Sequence, residues 1–122
     1  MSLVAIIGAG EIGGAVARAL ASRSRIDVIR LIDDSGPVAA GKALDLTQAG
    51  PISRSDTRID AASDLGAAAG ASAIVLADPV GGGTEWSGEP ALALLRRLKS
   101  GGHLDQSVLI CAGAHHRTVM QP

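Results

Sequence analysis

Val4-Ala5-Ile6-Ile7-Gly8-Ala9-Gly10-Glu11-Ile12-Gly13 is an aliphatic run that breaks into spaced glycines and then opens a helical pattern. Each glycine has a mechanical reason. Gly8 lets the chain turn sharply off a strand. Gly10 has no side chain, so a pyrophosphate can approach the backbone. Gly13 lets the following helix pack closely on the strand. The helix start presents backbone N–H groups and the positive end of its dipole to anionic groups. Twenty positions beyond Gly13, Asp33 closes a second aliphatic run. An acid at that spacing can accept hydrogen bonds from a ribose diol. Strand, glycine turn, helix, strand and acid in this order predict a dinucleotide site.

The chain has 122 residues, near the usual size of one domain, and 47% of them are hydrophobic. The apolar content is aliphatic: Phe and Tyr are absent and Trp86 is the only aromatic. Small aliphatic side chains suit close helix-on-sheet packing. The lack of aromatics removes the stacking platforms of single-strand nucleic-acid binders. The net charge of -1 and the lack of a basic block argue against a phosphate-backbone partner. An apolar strand starting near Leu3 leaves no room for a targeting segment, and no apolar run approaches the ~20 residues of a membrane helix. Cys111 is the single cysteine, so no disulfide forms within the chain. That fits a reducing, cytoplasmic setting, and the aliphatic neighbours of Cys111 suggest a buried structural thiol.

Along the chain, residues 3–7 read as a strand buried on both faces. Residues 11–22 read as a helix with Ile12, Val16, Ala19 and Leu20 inward and Arg18 and Arg23 outward. A strand over 28–32 follows. After a turn at Ser35-Gly36-Pro37, a helix over about 38–48 places Val38 and Leu44 inward, with Ala40 at the margin. Residues 57–59 form at best a short edge strand, and Ser63-Asp64 can cap a short helix through Ala69 that Gly70 ends. A strand over 73–77, a Gly-rich loop over 80–88, a helix over about 90–99 and a strand over 108–112 complete the pattern. A further helix is expected to begin in 115–120. Alternating strands and helices imply a parallel sheet with right-handed crossovers. The economical solution is a doubly wound, Rossmann-type α/β sheet of about five strands in the order 3-2-1-4-5, with helices on both faces. Its crevice lies at the carboxyl ends of strands 1 and 4.

Three stretches make the resemblance more specific: Ile6-Ile7-Gly8-Ala9-Gly10-Glu11-Ile12-Gly13; Leu31-Ile32-Asp33 with Gly41-Lys42-Ala43-Leu44-Asp45-Leu46; and Gly70-Ala71-Ser72-Ala73-Ile74-Val75-Leu76. On these the chain resembles the N-terminal, NAD-binding domain of the lactate/malate dehydrogenase family. The resemblance implies NAD as cofactor and, in a complete protein, hydride transfer between NAD and a 2-hydroxy or 2-keto acid. It also implies that residues 1–122 are one dinucleotide-binding domain of a longer protein whose C-terminal substrate domain is absent here. Family members usually associate, so a homo-oligomer is possible. The departures are on the substrate side. The family's loop after the fourth strand carries two arginines, and here Gly82 and Gly88 occupy those places. The family's Thr-Asn-Pro after the fifth strand is Ala112-Gly113-Ala114 here.

The cofactor-binding set expected from this reading is Gly8, Gly10, Glu11, Ile12, Gly13, Asp33, Ala77 and Asp78. Asp78 has a second reading, a local bond ahead of Pro79. Asp34 beside Asp33 repels a 2′-phosphate, which favours NAD over NADP. His115-His116 follow the fifth strand on the cofactor side, but neither has a carboxylate partner in view. No catalytic residue is assigned, and no metal, because the His and Cys spacing is wrong for ligation. Asp45 matches a family position, with a paired helix acid as its simpler reading. Trp86 is either an anchor within its loop or a lid. The alternative function is a non-catalytic dinucleotide-binding or sensing module.

Overall fold

Five strands pair in parallel in the order β3-β2-β1-β4-β5. The computed structural model describes residues 2–23, 26–48, 57–77, 96 and 108–111. The elements are β1 (Leu3–Ile7), α1 (Glu11–Arg23), β2 (Val28–Ile32), α2 (Gly36–Gln48), β3 (Arg58–Ala62), a 3₁₀ turn (Leu65–Ala68), β4 (Ala73–Leu76) and β5 (Val108–Cys111). The registers bring Ile7 level with Ile32 and Leu76, Ile32 level with Ala62, and Leu76 level with Cys111. All carboxyl ends therefore finish on one edge, the doubly wound arrangement expected from the sequence.

Every residue of β1 is buried, as the continuous apolar run predicts for a central parallel strand. Alternation divides the core into two layers. Val4, Ile6, Ile29, Leu31 and Val75 face α1 and α2. Leu3, Ala5, Ile7, Val28, Ile32, Ile74 and Leu76 face the other way, with Ala68 and Ala71 of the 3₁₀ region against them. Both described α-helices thus share one face. The helix expected over 90–99 lies outside the described residues except Arg96, which is helical and exposed.

Hydrophobicity misassigned part of each helix face. In α1 the buried positions are Gly13 and Ala17, with Ile12, Val16 and Leu20 half-buried and Ala19 exposed. In α2 the buried residues are Ala39 and Ala43. Val38 and Leu44, expected inside, are exposed, Leu44 at 57%, and so is Ala40, placed at the margin. A helix pressed against a sheet needs its smallest side chains on the line of contact. Ala17, Ala39 and Ala43 supply them, and the larger residues flank that line or face outward. α2 also begins earlier than expected: Gly36 and Pro37 form its first turn, where proline's missing N–H costs nothing.

β3 extends to Ala62, beyond the expected 57–59, and pairs with all of β2. Charge hid it. Arg30 sits opposite Asp60 in the register and meets it through two bonds, Nε to Oδ1 at 2.8 Å and Nη2 to Oδ2 at 3.0 Å. Its Nη1 donates to the Ala67 carbonyl at 3.1 Å. Arg30 is therefore a tie between β2, β3 and the 3₁₀ turn. Asp60 holds the Arg30 guanidinium above its ordinary pKa. The cap predicted at Ser63-Asp64 forms through Asp64, which accepts from Gly66 N at 3.0 Å, but the helix it opens is one 3₁₀ turn. Gly70 follows with φ +81, the left-handed conformation that favours glycine.

Candidate functional site

Hydrogen bonds beyond the strand ladders lash the carboxyl edge together. Gly8 N donates to Ile32 O at 2.7 Å, Asp33 N to Ala62 O at 3.1 Å, and Ala77 N to Ile7 O at 2.9 Å. Residues predicted from three separate stretches, Gly8, Asp33 and Ala77, therefore stand at the ends of β1, β2 and β4. Ala77 is fully buried.

The chain leaves β1 through Gly8 at φ 110, a conformation that costs an L side chain strain. Gly10 O accepts from Gly14 N at 3.0 Å, the first-turn bond of α1. Glu11 is exposed in that first turn. Ile12 is half-buried, with its side chain packed toward the sheet. At Gly13, a Cβ would lie 2.0 Å from the Gly8 carbonyl oxygen and 3.0 Å from its carbon. The close approach read from the glycine spacing is thus a contact of α1 with the turn itself. It aims the start of α1 at the edge where a pyrophosphate would lie.

Asp33 is the buried acid of the described core, 7% exposed. Its Oδ2 accepts from Ala9 N at 2.9 Å and its Oδ1 from Ser35 N at 2.9 Å. Ser35 in turn accepts from Ala39 N at 3.1 Å through its carbonyl, capping α2. Asp33 thereby stands between the glycine turn and α2. The sequence reading missed these two bonds. Both donors are main-chain N–H groups, which leave no mark in residue identity. Asp34 is exposed beside it.

The donor set fits a dinucleotide: a side-chain-free turn, a helix start, and a carboxylate held at the end of the adjacent strand. Asp78, the 80–88 loop with Trp86, and His115-His116 lie outside the described residues, as does the Cys111 side chain. Among the described residues no cluster of three or more His, Cys, Asp or Glu is placed to hold a metal, and no helix is long and apolar enough to cross a membrane.

The family model for the lactate/malate dehydrogenase NAD-binding domain matches residues 2–97. This chain belongs to that family. A malate dehydrogenase from Roseiflexus sp. (strain RS-1) is 44% identical over 73 residues, a match that takes in 60% of this chain and 23% of that protein. Among solved structures, malate dehydrogenase from Salinibacter ruber superposes with a TM-score of 0.74 at 18% identity, over 98% of this chain and 42% of that one. Malate dehydrogenase from Plasmodium falciparum in complex with NADH gives 0.73 at 20% identity, over 100% and 41%. These superpositions bear out the Rossmann-type topology. In this member of the lactate/malate dehydrogenase NAD-binding domain family, the glycine turn and Asp33 lie side by side at the carboxyl ends of β1 and β2.

Proposed function

We propose that this chain binds NAD along the edge formed by Gly8, Gly10, Glu11, Ile12, Gly13, Asp33, Ala77 and Asp78. In a complete protein it would serve as the cofactor half of a dehydrogenase acting on a 2-hydroxy or 2-keto acid. NAD supplies the hydride acceptor of such a reaction, and the protein holds and orients it. The observation that carries this reading is the buried Asp33 carboxylate 2.9 Å from the backbone of the glycine turn. Phosphate and diol recognition are thereby brought to adjacent atoms. Asp33 and the exposed Asp34 disfavour the 2′-phosphate of NADP. Substrate binding is assigned to the complete protein, and the exposed apolar residues of α2 suit association of copies. The single cysteine accords with a reducing, cytoplasmic setting.

One sequence feature favours a second reading, a non-catalytic dinucleotide-binding module: residues 80–88 contain no arginine or lysine. Titrating NADH fluorescence against wild type and Gly10→Val tests the site. Wild type should bind and the folded variant should bind at least tenfold more weakly, because a branched side chain fills the path of the pyrophosphate. Equal affinities would remove the glycine turn from the site.

A further inference from the structure

The Asp33 carboxylate spends one oxygen on the glycine turn and the other on the start of α2. Ala9, whose N–H it receives, is fully buried between Gly8 and Gly10. The turn is also anchored on either side of Ala9. Gly8 N–H is fixed to Ile32 and Gly10 O to the first turn of α1. The Ala9 amide lies between these points, and its position sets the path of the backbone that faces the phosphates. Ser35 N–H, on the other oxygen, fixes the carboxylate itself, because Ser35 is held by α2 through Ala39.

We propose that Asp33 is a positioning residue for the phosphate-binding turn, in addition to accepting a ribose diol. The carboxylate ties Ala9 to the α2 start, and the turn keeps its phosphate-binding shape only while that tie is made. This proposal rests on the dinucleotide reading of the site. It differs from a diol-only role in one consequence. Loss of the carboxylate must weaken a ligand that carries phosphates but no diol. Asparagine is the sharpest substitution. It keeps the shape and one carbonyl acceptor, but turns an NH₂ group toward either Ala9 N–H or Ser35 N–H, so one tie is lost.

The test compares ADP with 2′,3′-dideoxy-ADP by calorimetric titration of wild type and Asp33→Asn. It also follows hydrogen exchange of the Ala9, Ser35 and Ile6 amides in both ligand-free proteins. Wild type should bind dideoxy-ADP more weakly than ADP. Asp33→Asn should lose a further threefold to tenfold for dideoxy-ADP. Whichever of the Ala9 and Ser35 amides faces the NH₂ group should exchange at least tenfold faster in the variant, with Ile6 in β1 unchanged; general destabilisation would accelerate Ile6 as well. Unchanged dideoxy-ADP affinity with weakened ADP binding would overturn the proposal and leave Asp33 a diol acceptor only. An unprotected Ala9 amide in wild type would overturn it without any variant, should Asp33→Asn fail to fold. Failure of wild type to bind ADP would instead sink the dinucleotide reading, and the exchange measurement would still decide whether Asp33 holds the turn.

Discussion

Gly13 is set by a distance: an added Cβ would stand 2.0 Å from the Gly8 carbonyl oxygen, well inside any real contact. The neighbour is backbone, not the end of a flexible side chain, so α1 and the turn would have to separate. Gly13→Ala should therefore cost about 1–3 kcal/mol, the usual range for overpacking a close contact. Urea denaturation of the two proteins measures it. A variant as stable as wild type would mean that the helix does not press on the turn as described. At this scale the sequence was legible where geometry forces a residue type. Glycine spacing exposes a close approach because no other residue tolerates it. The surroundings of Asp33 were half legible. Its distance from the glycines pointed to the ribose, but the ties to Ala9 and Ser35 involve main-chain donors that any residue could supply.

Among the elements, α2 is the one whose packing departs furthest from its hydrophobic pattern. Ala39 and Ala43 touch the core, while Val38 and Leu44 stand outside. The sequence placed Leu44 inside because a periodicity argument weights large apolar residues, whereas contact with a sheet selects small ones. β3 was foreshortened for the opposite reason. Arg58 and Asp60 interrupt the apolar signal, yet Asp60 is satisfied by Arg30 across the strands, with Arg58 also 3.7 Å away. The buried strands β1, β2 and β4 were legible nearly to the residue, since burial on both faces leaves an aliphatic run, which only Arg30 in β2 interrupts. Gly41 offers a test of α2. It lies mid-helix and exposed, and a Cβ there meets nothing within 4 Å. Gly41→Ala should stabilise the chain by roughly 0.5–1 kcal/mol, from the lower helix propensity of glycine and the freedom it gives the unfolded chain. A thermal melt at low protein concentration reads the gain. A loss there would place another surface against Gly41.

For the molecule as a whole, the parallel sheet gathers Gly8, Asp33 and Ala77 on one edge, but carbonyl reduction asks for more than a held cofactor. It needs a proton donor and a positive group at the oxygen where negative charge develops. The cations of the described side chains are placed as follows. Arg30 and Arg58 attend Asp60 within the sheet. Arg18 and Lys42 line a cleft of about 340 Å³ between α1 and α2, together with Glu11 and Asp45. Arg96 is exposed on a helix. Residues 80–88, where the family resemblance expects arginines, contain none. The 122-residue chain tested alone should therefore bind NADH without oxidising it. Absorbance at the NADH band, followed with pyruvate or oxaloacetate in excess, should fall no faster than in protein-free buffer. Steady oxidation abolished by His115→Ala or His116→Ala would refute this, because it would show that the proton donor is already present in this chain.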